Sequence, residues 1–97
     1  MNYKIITTPI ANEHTTETYF YYNKISNKVS KSFLKEIKNT YKSLKINPFY
    51  QIRTEKYRAI PLSKFPFLIF FEVDETKKTI KVVALFNTHQ NPENYPV

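Results

Sequence analysis

Apolar residues follow two different periods along the chain, and these predict strands in some segments and helices in others. Residues 67–73 are apolar at nearly every position, which predicts a strand covered on both faces in the middle of a sheet. Its alternating side chains would be Phe67, Ile69, Phe71 and Val73 on one face, with Leu68 and Phe70 on the other.

Three further segments predict strands around this central one. Residues 3–7 are short and only partly apolar, which is typical of a strand near an edge. Residues 79–86 follow a polar loop and would form a hairpin with the central strand. Residues 57–62 precede that strand, and we interpret residues 49–56 as a polar connection without a strand.

Two amphipathic helices are predicted between the first strand and that connection. Thr8 followed by Pro9 is typical of a helix start, and the first helix would run to about Lys24. The second would begin after a cap at Ser26 and end near Ile46. The residues expected on or near the packed face of the first helix are Ile10, His14, Tyr21, Tyr22 and Ile25.

The resulting order is β-α-α-β-β-β, an α+β fold in which a helical hairpin packs on a mostly antiparallel sheet. A chain of this length can bury one core, so we expect residues 1–97 to form a single domain. No apolar run reaches the length of a membrane helix and the N-terminus lacks a signal-peptide pattern, so we expect a cytoplasmic protein without membrane contact.

Composition excludes several kinds of site and suggests an acidic partner. The chain has no glycine and no cysteine, which excludes glycine-rich phosphate loops and thiolate metal sites. Fifteen Lys and Arg against eight Asp and Glu give a net charge of +7, which suits a polyanion or an acidic protein. Lysines also recur every three or four residues along the second helix. We interpret this pattern as either a solvated surface or a surface that contacts phosphates.

The most distinctive segments of the chain are residues 57–62, 65–73, 80–86 and 87–95. Together they resemble the RelE/ParE superfamily of toxins from bacterial type II toxin–antitoxin systems, and the resemblance covers nearly the whole chain. Phe65-Pro66-Phe67 resembles the family's FPY strand motif, and Pro92 with Tyr95 resembles the end of its C-terminal motif.

The chain departs from the family pattern at two places. Asn87-Thr88 stands where the family has a His-Gly pair, and His89-Gln90 stands where it often has two basic residues. Phe67 occupies the position that carries an arginine in the RNA-cleaving branch.

The resemblance implies three alternative functions. The one we favour from the sequence is a ribosome-dependent mRNA endoribonuclease, in which the ribose 2′-OH attacks the neighbouring phosphate without metal or cofactor. The expected catalytic residues are His89, Arg58, Tyr95 and Lys81, and the expected nucleic-acid contacts are Arg53, Lys56 and Lys64. His89 would serve as general acid or base, because histidine titrates near neutral pH.

The other two alternatives need no catalytic residues: a ParE-like inhibitor that binds DNA gyrase, or an inactive toxin fold that only binds its antitoxin. All three imply a cognate antitoxin, acidic or amphipathic, that covers apolar and basic surfaces of the toxin. Phe20, Tyr22 and Leu85 are the apolar residues expected to anchor it, and we expect Arg58 and Lys64 on the open side of the sheet.

Overall fold

The computed structural model describes residues 3–95, in which two helices lie on one face of a five-stranded sheet. The helices are α1 (Pro9–Ile25) and α2 (Asn27–Ile46). The strands are β1 (Lys4–Thr7), β2 (Ile52–Thr54), β3 (Tyr57–Pro61), β4 (Phe67–Asp74) and β5 (Thr79–Asn87). In the sheet they lie in the order β1-β5-β4-β3-β2, with β1 parallel to β5 and the other neighbours antiparallel.

This arrangement confirms the predicted fold, with one strand added. The most apolar strand, β4, is the central one, and β1 is an edge strand, as the sequence predicted. The prediction that residues 49–56 contain no strand is wrong, because β2 pairs with β3 through Ile52 and Thr54. A strand of only three residues has too few alternating positions to produce a recognisable pattern.

Both helices begin where the sequence predicted, and each has a side-chain cap. The Thr8 hydroxyl accepts a hydrogen bond from the Ala11 N–H at 3.1 Å, and the Ser26 hydroxyl accepts one from the Val29 N–H at 3.4 Å. Each cap satisfies one of the amide donors that the first turn of a helix leaves without a backbone partner. Neither helix of the described chain has the length and apolar content that a membrane crossing would require.

The two faces of the sheet bury clusters of unequal size. We call the side covered by α1 and α2 the helix face, and the other side the open face. The core of the helix face includes Phe33, Ile69, Phe71, Ile80 and Val82. The smaller cluster on the open face consists of Ala59, Leu68, Phe70, Ala84 and Phe86, with Tyr57, Val83 and Tyr95 packed against it. The predicted alternation of β4 is therefore confirmed, and both of its faces are covered.

A β-bulge in β5 changes which of its side chains face the helices. Phe71 pairs with Val82 and Phe70 with Ala84, so Val83 has no partner on β4. Beyond the bulge the alternation is inverted, and Leu85 joins the helix-face core with 8% of its surface exposed. The prediction that Leu85 is an exposed anchor is therefore wrong.

The His14 side chain provides a hydrogen-bond acceptor for a backbone N–H of β5 next to this bulge. Pairing between β1 and β5 ends at Val82, and beyond that point the Leu85 N–H donates to His14 Nδ1 at 3.2 Å. Nδ1 is thus an acceptor, which requires the proton of a neutral ring to be on Nε2. The sequence suggested partly buried packing for His14, which is half-buried, but did not reveal this hydrogen bond.

Replacing His14 by phenylalanine should lower the free energy of unfolding by about 1–3 kcal/mol, because the Leu85 N–H loses its acceptor in a partly buried place. His14→Gln, which keeps a side-chain acceptor, should lose less. Urea denaturation measures the stability, and hydrogen exchange should show faster exchange at the Leu85 amide in His14→Phe. Unchanged exchange there would contradict the role assigned to His14.

Two turns adopt left-handed backbone conformations without glycine. Glu55, in the turn between β2 and β3, has φ 50°, and Lys78, in the turn between β4 and β5, has φ 54°. Such values are uncommon for residues with a Cβ atom and carry a steric cost. A chain without glycine must accept that cost wherever a tight turn needs positive φ.

Candidate functional site

The four predicted catalytic residues do not share one surface. Arg58 lies on β3 between Tyr57 and Ala59, which face the open side, so its side chain projects to the helix face. There its Nη1 donates to the Tyr50 carbonyl at 2.7 Å, and its guanidinium lies 5.4 Å from the centre of the Phe49 ring. The expectation that Arg58 lies on the open side is wrong.

Lys81 lies at a similar level of the sheet but on the opposite face. Its neighbours Ile80 and Val82 belong to the helix-face core, so alternation places Lys81 on the open face. It is paired in register with Glu72, whose carboxylate Oε2 is 2.9 Å from Lys56 Nζ. The sheet itself therefore separates Lys81 from Arg58.

His89 lies beyond the C-terminal end of β5, away from the part of the sheet that carries Arg58 and Lys81. It follows Asn87, which pairs with Phe67 at the start of β4, whereas Arg58 pairs with Phe71. Four residues of extended strand separate these pairs by about 13 Å. The backbone of exposed His89 is fixed by its N–H, which donates to Asn87 Oδ1 at 2.9 Å.

Tyr95 packs against the open-face cluster. Its ring centre is 4.8 Å from that of Phe70 and 5.1 Å from that of Phe86, both in edge-to-face geometry. A short 3₁₀ turn (Pro92–Asn94), capped by the Asn91 side chain, brings Tyr95 to this position. The Tyr95 ring therefore covers the apolar surface of Phe70 and Phe86. This packing explains its position without requiring a catalytic role.

The three predicted nucleic-acid contacts are also dispersed. Arg53 is exposed on the edge strand β2. Lys56 is paired with Glu72 on the open face, and that hydrogen bond raises the pKa of Lys56 above its usual value. Lys64 lies in the connection between β3 and β4 and faces α2 instead of the open side, contrary to the expectation from the sequence.

An apolar groove runs between α1 and the ends of β4 and β5. We call it the α1 groove, and it has a volume of about 490 Å³. Its lining residues are Glu17, Thr18, Tyr21, Tyr22, Ile25, Pro66, Phe67, Asn87 and His89. Phe67 and His89, two positions where the sequence departs from the family pattern, thus lie in the same groove.

Two exposed side chains of α1, Tyr21 and Ile25, line this groove, and a third, Phe20, is exposed outside it. Tyr21 is 62% exposed, Ile25 is 64% exposed, and Phe20 is 57% exposed. The prediction that Ile10, Tyr21 and Ile25 lie on the packed face of the helix is wrong, because all three are exposed. An exposed cluster of this kind is typical of a surface that binds a protein partner.

Tyr22 connects the groove to the core. Its ring lies 5.2 Å from Phe65 and 5.6 Å from Phe33 between ring centres. Burial, with a smaller contribution from Tyr21, raises the pKa of Tyr22 above its usual value, so the phenol stays neutral at physiological pH. The groove wall is therefore apolar and uncharged at this point.

A second, polar cleft of about 670 Å³ lies between α2 and the β3–β4 connection. Its lining includes Lys31, Lys35, Asn39 and Lys64. At its base the buried Glu36 carboxylate accepts the Lys64 N–H with both oxygens, at 3.0 and 3.2 Å. Sequence reasoning missed Glu36, although it is the one acidic residue in a lysine-rich helix.

The two candidate surfaces differ in the chemistry that they can bind. Among residues 3–95, no group of three His, Asp or Glu side chains is placed to hold a metal ion. The apolar α1 groove and the lysine-lined cleft are separate surfaces, one suited to apolar side chains and the other to anions.

Comparison with known proteins agrees with the resemblance in the sequence. A family model for the ParE toxin of the parDE type II toxin–antitoxin system matches residues 5–92. A search of curated proteins finds no match.

Two solved structures share the fold. One, the chromosomal ParDE toxin–antitoxin system from P. aeruginosa, has a TM-score of 0.73 at 19% identity, covering 88% of this chain and 95% of that one. The other, the RelBE2 toxin–antitoxin complex from Mycobacterium tuberculosis, has a TM-score of 0.60 at 11% identity, covering 90% and 99% respectively. Since the family model spans most of the sequence, the chain belongs to the ParE toxin family of type II toxin–antitoxin systems, within the RelE/ParE superfamily.

Proposed function

We propose that this toxin acts by binding its target, as a ParE-like inhibitor of DNA gyrase, and that a cognate antitoxin restrains it. The observation that carries the proposal is the separation of Arg58, Lys81 and His89. RNA cleavage needs a base, an acid and a cation around one phosphate, each within hydrogen-bond reach. Arg58 and Lys81 project from opposite faces of the sheet, and His89 follows the strand end about 13 Å away from the level of Arg58.

The contacts that Arg58 and Lys56 make within the protein also favour a toxin that acts by binding. The guanidinium of Arg58 is occupied by the Tyr50 carbonyl and the Phe49 ring, and Lys56 is paired with Glu72. These contacts use one of the five Arg58 N–H donors and offset the charge of Lys56, so both cations are less available to a phosphate. The match to a ParE family model favours gyrase as the target.

We assign the α1 groove to the antitoxin. Tyr21 and Ile25 are exposed beside a concave apolar surface, which suits the apolar side of an amphipathic helix or extended segment. The net charge of +7 would favour an acidic partner by long-range attraction. The two solved relatives are themselves toxin–antitoxin systems.

Purified toxin should inhibit DNA supercoiling by gyrase, and cleaved plasmid should accumulate in the reaction. Inhibition should reach its maximum near one toxin per gyrase subunit, because an inhibitor that acts by binding is consumed in proportion to its target. His89→Ala and Lys81→Ala should inhibit as well as the wild type, since both side chains are exposed and lie far apart. Plasmid gel assays measure both quantities.

The ribonuclease alternative makes the opposite prediction for the same variants. If His89 were a general acid or base, His89→Ala would reduce mRNA cleavage by about 10²–10⁴-fold. Sequencing of transcript ends after controlled expression distinguishes the two. Codon-specific cleavage that disappears in His89→Ala, with gyrase unaffected, would refute gyrase inhibition.

A further inference from the structure

We propose that the outward side of α2 binds the phosphate backbone of duplex DNA, a property of the toxin itself that does not depend on gyrase being its target. Six lysines recur along α2 at spacings of three and four residues, and all six are exposed. We call this surface the lysine face; it consists of Lys28, Lys31, Lys35, Lys38, Lys42 and Lys45. At 100° per residue they lie opposite the stripe that contains Phe33, Ile37 and Leu44.

The charge of the lysine face is not neutralised by the protein. Within residues 3–95 the ion pair that forms is between Lys56 and Glu72, on the open face of the sheet. The one acidic residue of α2, Glu36, is buried and accepts the Lys64 N–H. Uncompensated cations along a helix give a positive potential that attracts polyanions.

The lysine face is long enough to follow a row of phosphates. Lys28 and Lys45 are separated by 17 helical residues, about 26 Å at the rise of an α-helix. Duplex DNA presents one charge per about 1.7 Å of its axis, so several lysines can contact phosphates at once. Such contacts position a protein on DNA without reading its sequence.

The polar cleft extends this surface toward the sheet. Lys31 and Lys35 line it from α2, and Lys64 lines it from the β3–β4 connection. The Glu36 carboxylate accepts the Lys64 N–H with both oxygens. These contacts fix the backbone of Lys64 beside Lys31 and Lys35. The basic surface therefore curves around one side of α2 instead of ending at the helix.

The surroundings of these lysines favour phosphates over an acidic polypeptide. Protein partners bind tightly through buried apolar or aromatic anchors. In the described chain the exposed large apolar residues of α2 are limited to Ile46, at its C-terminal end, and the others lie on α1, β1 and residues 49–52. Phosphate contacts need no such anchors, since they depend on charge and counterion release.

Fluorescence anisotropy with a labelled duplex of about 20 base pairs tests the proposal, titrated with purified toxin between about 50 and 200 mM salt. Five or six phosphate contacts predict a slope of about −5 in a plot of log affinity against log salt. Lys35→Gln combined with Lys38→Gln should make that slope less steep by about 1.8. The control, Lys4→Gln with Lys77→Gln, removes equal charge from exposed positions outside the lysine face and should leave the slope unchanged.

Three results would overturn the proposal. Absence of duplex binding at the lowest salt would identify the lysine face as a solvated surface. Equal losses in both double variants would show that net charge, not α2, determines the affinity. Binding of poly-glutamate that depends on Lys35 and Lys38, without duplex binding, would assign the face to an acidic polypeptide. Circular dichroism of each variant verifies that the helices remain folded.

Discussion

Tyr21→Asp combined with Ile25→Asp should weaken binding of the cognate antitoxin by about 100-fold or more. Both side chains are more than 60% exposed beside the α1 groove, where an amphipathic segment would bury them. Each substitution removes an apolar anchor and places a carboxylate where binding would strip it of water. A 100-fold change in affinity corresponds to about 2.8 kcal/mol of binding free energy. The loss of two central anchors, at about 2 kcal/mol each, would exceed that value.

The experiment uses calorimetric titration of the purified toxin with its cognate antitoxin. Ile46→Asp is the control for a single new carboxylate, because Ile46 is 74% exposed and lies at the end of α2, outside the groove. It should bind as the wild type does. If Ile46→Asp lost as much affinity as the groove variant, or if the groove variant lost none, the α1 groove would not be the antitoxin surface.

Phe33→Ala should lower the free energy of unfolding by about 3–5 kcal/mol, the usual cost of emptying a large buried aromatic site. Phe33 is fully buried, and its ring lies between 5.5 and 6.1 Å from those of Tyr22, Phe65 and Phe67. The substitution therefore removes one of the contacts that join α2 to both α1 and the sheet. A domain of ordinary stability, about 5–15 kcal/mol, would be left close to unfolding.

Urea denaturation measures this loss, with Phe20→Ala as the control for the same chemical change. Phe20 is 57% exposed, and its truncation should change stability by no more than about 0.5 kcal/mol. A similar cost for both variants would contradict the packing described for Phe33. Bound antitoxin should partly restore the stability of Phe33→Ala by mass action, since it binds the folded toxin.

The fold could be predicted well where local chemistry had only one solution. A strand such as β4, apolar at six of the seven positions 67–73, must be covered on both faces, and it is the central strand. The helix starts were equally well determined, since Thr8 and Ser26 supply caps that the backbone requires. These features depend on neighbouring residues alone.

Predictions failed where the outcome depended on distant parts of the chain. The exposure of Leu85 could not be read from alternation, because the bulge at Val83 inverts it. Tyr21 and Ile25 have the side chains of core residues, but they line an open groove beside the ends of β4 and β5 and stay exposed. The predicted catalytic residues lie on separate surfaces because strand alternation sends Arg58 and Lys81 to opposite faces, and that requires the register of three strands.

The parallel pairing of β1 with β5 has a consequence for how the toxin is made. It joins segments far apart in the sequence: the Thr8 hydroxyl donates to the Val83 carbonyl, 75 positions away. Contacts of such separation form late, and during translation β1 has no partner until β5 has emerged from the ribosome. The His14 contact to Leu85 must also wait for that moment. A nascent chain therefore cannot complete its sheet until β5 has been synthesised, which postpones the folded toxin to that stage of its own translation.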